Sequence, residues 1–360
     1  MNMFIDKQKG MTLVELMVAV TIGLIVSAAV AGLFLQTTSS NNQNDAIGYI
    51  QDNGRYALKI IADDLEMSNF WAGLSASNSG GIQTDNVAIA QNGGSATIVA
   101  TIDTSVNGCS ASTANWNYDF ANPIQYLISV DKTTAVGTFP CIDNADNSLL
   151  FVDGRNVLMV KRTKGLEESS GQVNGRPYIR SNRNVATVHK YVSGAPPTGT
   201  DAPPSGFYDW QYLTHIYYIA QDDPNLVACP NNSCPPKLVR QVLKEDSATP
   251  GNDPIYVTEE LAEGIEGFHI MYGIDTDADA VADTFTSTPT NAQLGNAINA
   301  KVYVVARSKT EITGYTNDKT YVIGDITPWT PGDGYYRRVF STTVVMKNTE
   351  AVVQMNCTSC

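Results

Sequence analysis

Between Met11 and Leu35 the chain carries a single charged side chain, Glu15, and is otherwise almost wholly apolar. As a helix this run would be about 37 Å long at ~1.5 Å per residue. That exceeds the roughly 30 Å of a bilayer's hydrocarbon core. Lys7 and Lys9 precede the run, so the positive-inside rule leaves a short leader in the cytoplasm and puts everything after Leu35 outside. An ordinary secretory signal has an apolar core of roughly 7–15 residues, and this run is too long for one. A plain signal anchor and a specially processed span remain open.

Glu15 separates those readings. A charge inside such a span costs roughly 2.5–3.5 kcal/mol on insertion scales, and the run holds no lysine or arginine to offset it. Either the carboxylate lies near the headgroups, or a protease cuts between Gly10 and Met11. In the second case the new amine on Met11 can neutralise Glu15 of a neighbouring copy. The stretch Lys9-Gly10-Met11-Thr12-Leu13-Val14-Glu15 resembles the class III signal of type IV prepilins and type II secretion pseudopilins. The resemblance implies cleavage after Gly10 by prepilin peptidase and N-methylation of Met11, where phenylalanine is commoner. It also implies an assembly role for Glu15.

The organisation expected is a leader at 1–10, a transmembrane and assembly helix at 11–36, an amphipathic helix at 37–72 and a β-rich head at 73–360. The polar stretch from Gln36 to Gln43 has poor helix propensity and marks a break or a soft point. Helical spacing then returns, with Ile47, Ile50, Leu58, Ile61 and Leu65 near one face. Asn53-Gly54 is a turn signal, but the periodicity continues across it. Gln51-Asp52-Asn53-Gly54-Arg55-Tyr56-Ala57, then Asp64-Leu65 and Phe70-Trp71-Ala72-Gly73, resemble the helix of PilW-type minor pilins. Arg55 and Tyr56 are read as tying the helix to the head.

Beyond Gly73 the chain is rich in turn formers, with β-type runs at 87–91, 97–102, 124–130, 149–152, 156–162 and 185–192. Asp153-Gly154 between two of these is a hairpin signal. The Pro/Gly stretch at 193–206 cannot lie centrally in a sheet. A clearer series follows at 213–220, 238–243, 265–272, 302–307 and 337–346, pointing to an antiparallel sheet. In the last run Val339, Ser341, Thr343 and Val345 alternate with Phe340, Thr342, Val344 and Met346. Most of residues 207–348 resembles PilW-type and J-type pilin heads, a resemblance that does not extend to 74–206. The fold expected is α+β: a long N-terminal helix, membrane-spanning in its first half, packed on an antiparallel sheet with large loops.

Net charge is −13, with no basic stripe for phosphates, which argues against a nucleic-acid partner. The six cysteines all follow the span and so face an oxidising compartment, where they read as disulfides. Joining sequence neighbours gives Cys109–Cys141, Cys229–Cys234 and Cys357–Cys360. The first closes the longest loop and is worth about 3–4 kcal/mol in the chain-entropy model. The Cys-x-x-Cys spacing at 357–360 lacks the following helix that a thioredoxin-type thiol requires.

His189, His215 and His269 have no metal spacing, and no phosphate loop or nucleophile elbow occurs. The chain reads as a non-enzyme. Asp275, Asp277, Asp279 and Asp283, with the Val281 carbonyl, resemble a calcium loop. Ala280 stands where such loops have glycine and Thr286 where they have a bidentate glutamate, so an acidic turn is the other reading.

The PilW resemblance implies a minor pilin that starts or caps a type IV pilus. Its implied partners are other minor and major pilins, met through the N-terminal helix, with prepilin peptidase and the inner-membrane assembly platform. It implies a bacterial inner-membrane precursor with a periplasmic head that later enters the fibre near its tip. A type II secretion pseudopilin and a pilin-signal-anchored adhesin or enzyme are the alternatives.

Overall fold

The computed structural model describes residues 10–72, 87–89, 123–144, 149–168, 172–174, 176–181, 186–190, 208–229, 234–245, 255–277, 279 and 281–349. Two compact units divide the chain, Met1–Gly48 and Tyr49–Cys360.

Helix α1 covers Leu13–Glu66. It does not break in the polar stretch after Leu35. Thr37 and Thr38 donate their hydroxyls to the carbonyls of Leu33 and Phe34 at 2.8 and 2.9 Å, which satisfies these side chains inside the helix. Within the first unit the apolar side chains are exposed all round, Leu13 at 73% and Phe34 at 70%. This segment is long and apolar enough to cross a membrane.

From Ile50 onward α1 has a buried face of Ile50, Ala57, Ile61 and Leu65. Gly54 is helical, not a turn, and its missing side chain is filled by Phe340. A Cβ on Gly54 would lie 2.3 Å from that ring, so glycine here serves a close approach. Arg55 is exposed, and Tyr56 is 49% exposed. They do not tie the helix to the head, because they lie on the face turned to solvent. The helix ends at Glu66, and a tight turn follows with Asn69 and Ala72 at positive φ.

Among the described residues the head contains a nine-stranded sheet, a four-stranded sheet and a two-stranded hairpin. The large sheet holds β1 (Val87–Ile89), β2 (Ile124–Val130), β3 (Leu149–Phe151), β4 (Arg155–Thr163), β5 (Pro177–Ser181), β6 (Ala186–Lys190), β7 (Tyr208–Asp222), β8 (Lys237–Lys244) and β9 (Ile255–Glu263). Two short α-helices, α2 (Lys132–Thr138) and α3 (Asn291–Gly295), and a 3-10 turn at Pro140–Asn144 accompany the described strands. The four-stranded sheet runs β11-β10-β12-β15, from β10 (Ile265–Ile274), β11 (Thr284–Thr286), β12 (Ala297–Arg307) and β15 (Arg337–Val345). β13 (Tyr321–Ile323) and β14 (Ile326–Trp329) form the hairpin. Among the described strands, pairing is antiparallel except between β1 and β6.

β7 is the spine of the large sheet. β5, β4 and β3 pair along it, and β8 pairs with its 215–220 segment. Its apolar run is continuous because both faces are buried. Tyr217 and Ile219 face α1, while Ile216, Tyr218 and Ala220 face α2. β4 divides the same way, Leu158 and Val160 against Val157 and Met159.

The hairpin expected at Asp153-Gly154 does not form. β3 and β4 both pair with β7, one after the other in the same direction. Gly154 at φ +70° makes an offset instead of a reversal. Its N–H donates to the Val130 carbonyl at 2.9 Å, and Asp153 accepts the Lys132 N–H at 2.8 Å. Tertiary pairing with a long strand has overridden the local turn signal.

Candidate functional site

The start of α1 is built by Thr12-Leu13-Val14-Glu15. Gly10 and Met11 are exposed and precede the first helical residue, so the peptide bond between them is accessible. Thr12 donates both its N–H and its hydroxyl to Glu15 Oε2 at 2.9 Å. Glu15 N–H donates back to Thr12 Oγ1 at 3.3 Å. This reciprocal pair is a capping box. Glu15 therefore has a polar partner within its own copy, which the sequence reading did not give it. Thr12 is neutral, so the carboxylate has no counter-charge among the described residues.

A second carboxylate on α1 is buried. Asp64, 3% exposed, lies one turn from Ile61 on the packed face. Its Oδ1 accepts Arg162 Nε at 3.0 Å and Nη2 at 2.7 Å. Its Oδ2 meets His215 Nδ1 at 2.5 Å and accepts the Tyr217 hydroxyl. Arg240 reaches the same hydroxyl at 3.4 Å and pairs with Glu259 at 2.6 Å. Burial alone would push the Asp64 carboxyl up, but His215, Arg162 and Tyr217 outweigh it and hold the group well below the usual carboxylate range. Burial and the Asp64 charge raise the Tyr217 phenol far above its ordinary value, so it stays a donor. This cluster, not Arg55 or Tyr56, ties the helix to β4 and β7. Its signal in the sequence is an aspartate on the apolar face of an amphipathic helix, an expensive place for an unpaired charge.

Of the other histidines, His269 is buried and shared between Asp325 (Nε2 to Oδ1, 2.6 Å) and the Tyr126 hydroxyl (3.1 Å). His189 falls in β6, whose side chains lie outside those described.

The acidic loop after β10 brings together Asp275, Asp277 and Asp283, with one oxygen of each within 4.8 Å of the others. Asp279 is not among them, which corrects the expectation of four converging carboxylates. Asp279 Oδ1 instead accepts the Val281 N–H at 2.8 Å, closing a local Asx turn. Asp283 Oδ2 accepts the Thr276 N–H and hydroxyl at 2.7 and 2.5 Å, and these bonds lower its pKa. The charge of Asp279, with smaller effects from burial, Asp283 and Asp275, raises that of Asp277. Three carboxylates with hard oxygen donors suit calcium in kind, with fewer protein ligands than the sequence pattern suggested.

Cys229 and Cys234 are joined, their Cα atoms 4.9 Å apart. Cys141 is buried and disulfide-bonded. Cys109, Cys357 and Cys360 lie outside the described residues, as do the pairings expected for them.

An apolar helix opening in a capping box, followed by a β-rich head clamped on its second half, has the architecture expected of a helix-anchored assembly subunit. Residues 216–348 match the family model described as Type IV Pilus-assembly protein W, and residues 5–31 match the Prokaryotic N-terminal methylation motif. The chain thus carries a PilW domain, from within β7 to just past β15, behind a pilin-type signal. Together these support a pilin role in a type IV pilus, with membrane anchoring through the N-terminal helix. Among solved structures, a Type IV-like pilin from Thermus thermophilus is similar over 56% of this chain and 84% of its own, at 12% identity and a TM-score of 0.26. The comparison with curated proteins gives no match.

Proposed function

We propose that this protein is a minor pilin: a non-catalytic subunit that prepilin peptidase cleaves between Gly10 and Met11 and methylates on Met11. The observation that carries the reading is the methylation motif at 5–31, lying on an apolar helix exposed all round, in one chain with a PilW domain. An apolar helix without an internal partner must bury its surface elsewhere, first in the bilayer and then against the helices of other pilins. In that setting Glu15 is neutralised by the amine of a neighbouring Met11. The head lies in the periplasm of the inner-membrane precursor. The subunit passes through the assembly platform and joins other minor and major pilins near the fibre tip. The acidic loop is proposed to hold calcium weakly through Asp275, Asp277 and Asp283.

The test is N-terminal sequencing and mass measurement of the full chain from peptidase-positive and peptidase-negative cells. The expected mature product begins at N-methylated Met11 only when the peptidase is present, and Gly10→Val stays at precursor length. A chain that retains Met1 beside an active peptidase would overturn the reading.

A further inference from the structure

In the head a cleft of about 240 Å³ lies between the start of β4, strand β10 and the β13–β14 hairpin. Arg155, Glu266 and His269 line one side, and Ile323, Ile326 and Trp329 line the other. The charges on the first side are unequally used. Arg337 holds both oxygens of Glu266, Nε to Oε2 at 2.6 Å and Nη2 to Oε1 at 3.2 Å. Asp325 is held by His269 and by the Ser287 hydroxyl at 2.8 Å. Arg155 is the least engaged, with one long ion pair to Glu266. Its Nη2 stands 3.9 Å from Glu266, beyond hydrogen-bond range, and its buried Nε has no hydrogen-bond partner among the described residues. Among the described residues its guanidinium donates no hydrogen bond, although it offers a rigid fork of donors suited to a carboxylate.

The opposite wall is apolar and fixed. Trp329 lies against Tyr321 with ring centroids 5.0 Å apart. Asp325, in the turn between β13 and β14, pins the hairpin to β10 through His269. The amide of Asn156, which also lines the cleft, is already bonded to the Ser129 N–H, the Tyr126 hydroxyl and the Phe268 carbonyl. A sugar would find few free groups for its hydroxyls here. A carboxylate beside an aliphatic or aromatic side chain would find both of its counterparts.

We propose that this cleft docks an acidic–apolar segment of a partner protein. One carboxylate pairs with Arg155, and the neighbouring apolar side chain lies on Ile323, Ile326 and Trp329. The inference concerns only the head's binding chemistry, so it stands or falls separately from cleavage at Gly10.

The experiment is fluorescence anisotropy on the full-length protein in detergent micelles. The probe is a labelled hexapeptide with an Asp-Leu pair flanked by Gly and Ser. Saturable binding is expected. Replacing the peptide's Asp by Asn, or Arg155 by Gln, should each weaken it about tenfold, the scale of a charged hydrogen bond. The two changes together should weaken it no further than either alone. Ile326→Ser should weaken binding while leaving the preference for Asp over Asn intact, so the claim does not depend on one variant folding. Three results would overturn the proposal: no saturable binding up to about 5 mM, equal binding of the Asp and Asn peptides, or competition by glucuronate as strong as by the peptide.

Discussion

The two halves of α1 carry one acidic residue each at a costly place, and they treat it in opposite ways. Glu15 lies in a segment whose apolar side chains are exposed, and its partner among the described residues, Thr12, is uncharged. Asp64 lies in a segment packed on the sheets, and an arginine, a histidine and a tyrosine surround it. A carboxylate answered inside the chain fixes how that chain folds. One left without a counter-charge points to a partner outside it. The same helix thus holds a structural acid and, under the proposed function, an assembly acid, told apart by what surrounds each.

Removing the structural acid should have the largest effect on the head. Asp64→Ala leaves the Arg162 charge and the His215 and Tyr217 groups buried without their acceptor. Breaking a buried pair in this way costs about 3–5 kcal/mol, readable as a lower urea midpoint of the full chain. Asp64→Asn should recover only part of it. The pH dependence has a definite sign. The folded-state pKa of Asp64 is depressed, so its stabilisation is full above the unfolded carboxylate value of about 3.9. It is lost as pH falls below that value toward the folded one. Wild type should therefore lose more stability than Asp64→Asn below about pH 4, and parallel acid profiles would refute the latch.

Gly54→Ala comes next. The new methyl would overlap the Phe340 ring, and overpacking of this kind costs roughly 1–3 kcal/mol. Adding Phe340→Leu should restore part of the loss. An unchanged midpoint for Gly54→Ala alone would show that the ring moves aside freely.

Calcium should act more weakly. With three carboxylates and an extracellular-type affinity of about 10⁻⁴–10⁻³ M, a calcium concentration about five times the Kd stabilises by about 1 kcal/mol. Thermal melting with calcium or chelator reads this, and Asp277→Ala should abolish the difference. Identical melting curves for wild type would leave the loop as an acidic turn.

The smallest effect on stability belongs to Glu15. Glu15→Leu should leave the head's melting unchanged and insert at least as well, while co-purification with other pilins falls. Full incorporation into fibres would remove its assembly role and with it the contrast between the two acids.

Much of this molecule was legible in its sequence because the signals were local. An apolar run and a Gly-Met junction need only their near neighbours to have meaning. The same holds for β15, where alternation matches a half-buried surface. The short pieces β5, β11, β13 and β14 were not legible, since a few residues carry no period and exist through the strands beside them.

Tertiary structure alone decided three further matters. Asp153-Gly154 became an offset because β7 was long enough to pair with the chain on both sides of it. Gly54 stayed helical because a ring from far along the chain filled its missing side chain. The tie between helix and head fell to Asp64, Arg162, His215 and Tyr217, residues far apart in the chain. Buried charges must find partners wherever the fold brings them, and no spacing in the sequence records which ones will meet.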